Sequence, residues 1–278
     1  MKSMVILLIY MCVYLTLYTH TVTASLSTVE TYSLYVGDSL TNITKEVFPL
    51  PPSSRCPSCS TCNNPQLAFL NLHENENTSV VAVRSFLLYN GGSLVKFSKG
   101  DTRLVNFNID STTYSIDPNR MFTPEGIESS LAQYSTYTPE AAAEVSKLAD
   151  FLLNIYNFEN QSTVLALHDN GGTYGANSYL PGQTYENDAA AVNIVEGTNP
   201  SDCFYVVDPV YYESLKMAGY NIVLQNNETV TNDGSLSYYA GMKGKAYINF
   251  EAQAEYTAVG EQVVIQLDMI AAVGDMLK

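Results

Sequence analysis

Residues 67–76 read Leu67-Ala68-Phe69-Leu70-Asn71-Leu72-His73-Glu74-Asn75-Glu76, and the fold turns on how this run is read. Leu67 to Leu72 is a short, almost unbroken apolar stretch, as expected of a strand buried on both faces. A helical pattern follows at once, from Asn77 to Tyr89, and stops at Gly91-Gly92. Ser93 to Phe97 then offers the next strand. Further strands are expected over Arg103 to Asn108, Thr163 to Leu167, Cys203 to Val207 and Lys245 to Phe250. Helical patterns lie between them. Thr138-Pro139-Glu140 supplies a capping threonine with proline in the first helical position, ahead of an apolar stripe of Val145, Leu148, Leu152 and Ile155. A last helix is expected over about Thr257 to Leu277. Strands alternating with helices imply an α/β fold with a mixed, largely parallel central sheet flanked by helices.

The chain has 278 residues, 46% of them hydrophobic and 15% charged, which suffices for a sizeable core and excludes a disordered or fibrous protein. Thirteen basic residues against 28 acidic ones, a net charge of −15, also exclude a nucleic-acid partner, because a run of phosphates would go unneutralised. The first 24 residues read as a signal peptide. Lys2 precedes an apolar run from Met4 to Tyr18, and Val22-Thr23-Ala24 gives the small-residue pattern of a cleavage site before Ser25. The alternative, a membrane anchor, would need about 20 apolar residues to span a bilayer, and this run is shorter. A secreted protein with no stable membrane insertion after signal removal is expected. Residues 25–65, rich in Ser, Thr, Pro and Cys, are expected as an extended lead-in, and residues 66–278 as a single domain. Cys56, Cys59, Cys62 and Cys203 suit disulfides, one of them a bridge to Cys203, although the Cys56 to Cys62 cluster also suits a zinc knuckle. Sequons at Asn42, Asn77, Asn160 and Asn227 permit glycosylation.

After residue 24 the chain has only two histidines, and each ends an expected strand: His73 after Leu67–Leu72 and His168 after Thr163–Leu167. Glu251 ends Lys245–Phe250 in the same way. Carboxyl ends of strands line the ligand crevice of open α/β sheets, so these three side chains are placed to converge. His73 and Glu76, three residues apart on a first helical turn, share a face and suit one metal ion. The same spacing suits a capping histidine with a glutamate favoured by the helix dipole. His168 as a third ligand gives the two-histidine, one-glutamate set of catalytic zinc, with a fourth position open.

With these residues in place, the stretch from 66 to 255 resembles the zinc metallocarboxypeptidases, in the broad sense that includes deacylating relatives. The matching parts occur in the family's order: His73 and Glu76, then Asn119-Arg120 within Ile116-Asp117-Pro118-Asn119-Arg120, then His168, then Glu251. The resemblance implies one zinc ion on His73, Glu76 and His168, which lowers the pKa of its water to about 7. It implies Glu251 as the base that takes the water's proton and passes it to the leaving amine. Arg103 would face the oxyanion, and Asn119 with Arg120 would clamp the substrate's terminal carboxylate. Leu236, in Gly234-Ser235-Leu236, stands where the family has the floor of its side-chain pocket, so a neutral or hydrophobic side chain is expected there. One departure is plain: Thr229 to Asp233 replaces the segment in which better-known members carry a tyrosine, and Tyr238 or Tyr239 would have to substitute.

The expected function is therefore a secreted zinc hydrolase cleaving an amide bond next to a free carboxylate, a carboxypeptidase-like exopeptidase acting on a peptide or acyl-amino-acid substrate. Two rivals accompany it: a deacylase acting on N-acyl amino acids or cell-wall peptides, and a catalytically silent binding protein.

Overall fold

The computed structural model describes residues 27–50, 67–98, 100–254 and 260–277. The signal-like segment and Cys56, Cys59 and Cys62 lie outside the described residues. In chain order the elements are β1 (Thr28–Val36), β2 (Ser39–Phe48), β3 (Ala68–Asn71), α1 (Asn77–Asn90), β4 (Gly92–Phe97), β5 (Val105–Ile109), β6 (Thr112–Ile116), α2 (Pro124–Tyr134) and α3 (Pro139–Tyr156). There follow β7 (Thr163–Asn170), β8 (Ala189–Asn193), β9 (Cys203–Val206), α4 (Pro209–Met217), β10 (Asn221–Gln225), α5 (Leu236–Met242), β11 (Ala246–Gln253) and α6 (Glu261–Met276).

Nine strands form one mixed sheet in the order β1-β2-β4-β3-β7-β11-β9-β10-β8, while β5 and β6 make a separate hairpin. The four central strands, β4, β3, β7 and β11, run parallel. Their side chains alternate between two apolar layers, as a period of two demands. Leu70, Val164, Ala166 and Tyr247 face the layer that holds α2, α3 and the β5–β6 hairpin. Phe69, Leu165, Leu167, Ile248 and Phe250 face the layer of α1, α4 and α6. The expected stripe of α3 (Val145, Leu148, Leu152, Ile155) is buried in the first layer. Three helices start alike, with a capping oxygen followed by proline: Thr123-Pro124, Thr138-Pro139 and Asp208-Pro209.

Two features differ from the sequence reading. Thr28–Phe48, expected as lead-in, are two strands of the main sheet, with β2 paired antiparallel to β4. Their alternation is weak because β1 is the sheet's edge and stays largely exposed. Cys203 forms no bridge. Its thiol is free and buried on β9, 2% exposed, among the side chains of the first layer. Among the described residues, no helix is long and apolar enough to cross a membrane.

Candidate metal centre

His73 and Glu76 leave the carboxyl end of β3 together, ahead of α1 rather than within its first turn. The Glu76 N–H donates to the His73 carbonyl (3.0 Å), and that turn brings the two side chains side by side. His168 and Glu251 lie within β7 and β11 rather than just after them, because the strands run on to Asn170 and Gln253. They are register partners on adjacent parallel strands. Both continue rows that face the first layer, which fixes their side chains on one side of the sheet.

The three ligand candidates meet. His73 Nδ1 lies 2.7 Å from Glu76 Oε1, His168 Nδ1 lies 3.0 Å from Glu76 Oε2, and the two Nδ1 atoms are 3.2 Å apart. All three residues are at least 95% buried. His73 Nε2 bonds to Asp117 Oδ1 at 2.8 Å, which assigns the ring proton to Nε2 in the neutral tautomer and leaves Nδ1 a bare acceptor. A bare nitrogen, a carboxylate and a second imidazole nitrogen facing one point are the donor set of a zinc site, and a shared cation satisfies all of them.

The electrostatics agree. Burial alone would lower the His73 pKa, but the adjoining carboxylates of Glu76 and Asp117 outweigh it and raise it to about 9. Glu76 is pushed up by burial and pulled down more strongly by the two imidazoles, to about 2. Asp117, against the same burial, is held well below the usual carboxylate range by His73 and Arg103. This concentration of buried negative charge asks for a cation.

Arg103 partly supplies one. Its Nη1 donates to Glu76 Oε1 and its Nη2 to Asp117 Oδ2, both at 3.1 Å. Arg103 thus lines the cleft beside the cluster, with its guanidinium engaged by two carboxylates. Asp117 is the residue that the sequence reading passed over. Its place just before Pro118-Asn119-Arg120 was its signal, since a carboxylate that orients a ligating histidine is a recurrent need of metal sites.

Glu251 is buried, and its oxygens accept from Asn249 Nδ2 (3.1 Å) and Asn170 Nδ2 (3.3 Å). Burial raises its pKa, with the charge of Glu76 adding, while His168 and the two amides oppose. Such a carboxylate is poised to take a proton. Asp169, on the opposite side of β7 from Glu251's row, accepts from the Thr78 and Ser79 amides (3.0 and 3.4 Å) and so ties β7 to the first turn of α1. Burial and Glu76 raise its pKa to about 7.

Beyond the cluster opens a cleft of about 360 Å³. Asn119 and Arg120 line it, on a single 3₁₀ turn after β6. Asn119 Oδ1 accepts from the Leu236 amide (3.0 Å), and Arg120 Nη2 lies 3.4 Å from Asp233 Oδ2. Gly234 (φ +76°) makes this junction possible, for a Cβ there would sit 2.5 Å from the Arg120 carbonyl oxygen and from Gly126 Cα. Leu236, expected as the pocket floor, does not reach the cleft. It is fully buried in the first apolar layer as the first residue of α5, and Ser235 and Ser237 line the cleft instead. Tyr239 is likewise spent on packing, against Phe122 and Phe158, and Tyr238 is absent from the lining. The tyrosines of the cleft are Tyr174, Tyr179, Tyr185, Tyr205 and Tyr247.

Fold and site together thus define an α/β protein with a buried His-Glu-His cluster at the carboxyl end of parallel strands. No family model and no curated protein matches the chain. Among solved structures it is similar to the succinylglutamate desuccinylase from Chromobacterium violaceum, at 10% identity over 86% of this chain and 66% of that one, with a TM-score of 0.43. It is also similar to a succinylglutamatedesuccinylase/aspartoacylase from Rhodobacter sphaeroides (12% identity, 93% and 68% covered, TM-score 0.41). A third is thrombin activatable fibrinolysis inhibitor (14%, 89% and 68%, TM-score 0.43). The chain spans about two thirds of the length of these structures. What the cleft can do follows from its own side chains.

Proposed function

We propose that this chain is a zinc hydrolase that cleaves an amide bond beside a free carboxylate, in the manner of a carboxypeptidase-like exopeptidase. The observation that carries the proposal is the convergence of His73 Nδ1, His168 Nδ1 and both Glu76 oxygens, with buried Glu251 in register beside His168. Zinc held by His73, Glu76 and His168 would supply Lewis acidity and acidify water near neutral pH. The remaining work belongs to the chain. Asp117 holds His73 in the tautomer that presents Nδ1. Glu251 accepts a proton at a carboxylate oxygen and returns it to the leaving nitrogen, steadied by Asn170 and Asn249. Arg120 exchanges Asp233 for the substrate carboxylate, which gains a charge-assisted, bidentate contact.

A deacylase reading is favoured by one specific observation: no tyrosine stands in Thr229–Asp233, where the better-known exopeptidases of the resembled family carry one. Zinc-loaded protein assayed on a free-carboxylate peptide, its C-terminally amidated form and N-acyl amino acids separates these readings. Release of single C-terminal residues from the first substrate alone supports the exopeptidase; activity on acyl amino acids alone supports the deacylase. Absence of both, from a chain that keeps less than one zinc ion after loading and dialysis, supports a silent binding protein. Export is part of the proposal and rests on residues 1–24; a secreted chain whose first residue is Ser25 would bear it out.

A further inference from the structure

The two edges of the main sheet are finished differently. β8 is 5 residues long, and its pairing with β10 is broken by a register shift at Leu224/Gln225. A short, irregular edge offers little to another strand. β1 is 9 residues long, and every one of them, from Thr28 to Val36, keeps an unbroken register with β2. Among the described residues no strand lies on its other side. Every second residue of β1 therefore turns its N–H and C=O outward, in a row whose spacing only another extended chain matches. The devices that usually spoil such a row are missing, for the strand contains no lysine, arginine or proline. In a chain of net charge −15, β1 carries one acid, Glu30, and that residue is in register with Lys45 of β2.

The side chains of β1 point to what covers it. Val29, Thr31, Ser33 and Tyr35 share one face, and Leu40 of β2 is the register partner of Tyr35. Val29, Tyr35 and Leu40 are 60%, 66% and 51% exposed, an apolar surface with nothing on it. Tyr32 is the midpoint of Thr28–Val36. A two-fold axis through Tyr32, normal to the sheet, lays a second β1 antiparallel to the first and pairs the whole strand with no residue left over. In that register Val29 stands opposite Tyr35 of the partner subunit, and Tyr35 opposite the partner's Val29. Thr31 then meets Ser33 and Glu30 meets Leu34, so no like charges face each other. A shift of two residues, the smallest that keeps the outward backbone groups matched, sets Val29 opposite Ser33 or Gly37 and loses both apolar contacts.

We propose that β1 is a homodimer interface, in which a second copy of this chain pairs its β1 antiparallel about Tyr32 and joins two nine-stranded sheets into one. The two-fold arrangement uses up both β1 edges and closes at the dimer. The surface lies three strands from β3, which leads to His73, and the inference stands apart from the hydrolase reading.

Analytical ultracentrifugation of the secreted chain over a concentration series tests this, with hydrogen exchange of the β1 amides measured in parallel. The expected result is a reversible monomer–dimer equilibrium in which the outward amides of β1 gain protection as dimer forms. Val29→Lys and Tyr35→Glu should each weaken the dimer by about 2- to 30-fold, since symmetry removes two cross-strand contacts at once. The double variant should recover most of that loss, because each new ammonium then lies opposite a new carboxylate of the other copy. Both positions are exposed, so the melting temperature at a concentration where the wild type is monomeric should be unchanged and serves as the folding control. If a variant does not fold, the wild-type series and its exchange data decide alone. A monomer at every concentration up to about 1 mM, or assembly that continues past the dimer, overturns the inference. So does a dimer that neither single variant weakens, or a double variant no better than the singles. A monomer whose outward β1 amides are already protected overturns it in favour of another segment of the same chain on this edge.

Discussion

Replacing Asp117 by asparagine should weaken zinc binding without unfolding the chain. The carboxylate makes three contacts: His73 Nε2 at 2.8 Å, Arg103 Nη2 at 3.1 Å and the Asn119 amide at 2.8 Å. Asparagine has the same shape and retains one acceptor oxygen, so it can keep only part of that set, and its NH₂ must face a donor. The negative charge that orients the His73 ring and strengthens its Nδ1 is lost. Losing such a partner weakens metal binding by about 10- to 100-fold, or about 1.4 to 2.7 kcal/mol. Competition against a chromogenic zinc chelator reads this directly, with the melting temperature of the metal-free protein as the control for folding. A zinc Kd equal to wild type in a folded Asp117→Asn protein would refute the reasoning, because His73 would then need no partner on Nε2.

Glu251→Gln should retain zinc and lose about 100- to 10,000-fold in kcat, the usual worth of a positioned base, and a normal rate would remove Glu251 from the mechanism. Arg120→Ala should raise KM for a peptide with a free C-terminus and leave its amidated counterpart little affected; equal loss on both counts against the clamp. In metal-free protein, His73 is raised from 6.5 to about 9 by its carboxylates, so its contribution to stability is complete below pH 6.5 and is lost as pH rises through 9. The stability advantage of wild type over His73→Asn should shrink across that window, and an advantage that grows there contradicts the assignment. Tyr156→Phe should cost about 1–3 kcal/mol of unfolding free energy, because the phenol donates to the Ala68 carbonyl (2.9 Å) and accepts from the Leu165 amide (3.1 Å), bridging β3 and β7. An unchanged denaturation midpoint would show that neither backbone group depends on it.

The parallel centre of the sheet was legible in the sequence because its strands are buried on both faces and read as almost unbroken apolar runs, as Leu67–Leu72 and Thr163–Leu167 do. The edge hairpin Thr28–Phe48 was not, since an edge strand wets one face and its polar residues resemble those of a loop. Local order also told where His73, His168 and Glu251 fall, because a residue at a strand's carboxyl end is located by the strand itself. What could not be read was the company those residues keep. Arg103 is drawn onto Glu76 and Asp117 by buried charge, a long-range demand that spacing does not reveal. Leu236 and its neighbours Ser235 and Ser237 divide between core and cleft according to the phase of a helix only 7 residues long, and one residue's difference in phase exchanges an apolar floor for a polar one.

The central claim is that one cation sits among His73, Glu76 and His168. Diffraction from zinc-loaded crystals across the zinc absorption edge tests it most directly. The expected result is a single anomalous peak about 2.0–2.2 Å from His73 Nδ1, from His168 Nδ1 and from a Glu76 oxygen. An empty map at that point, or a peak bound elsewhere with the two imidazoles turned away from it, would contradict the account.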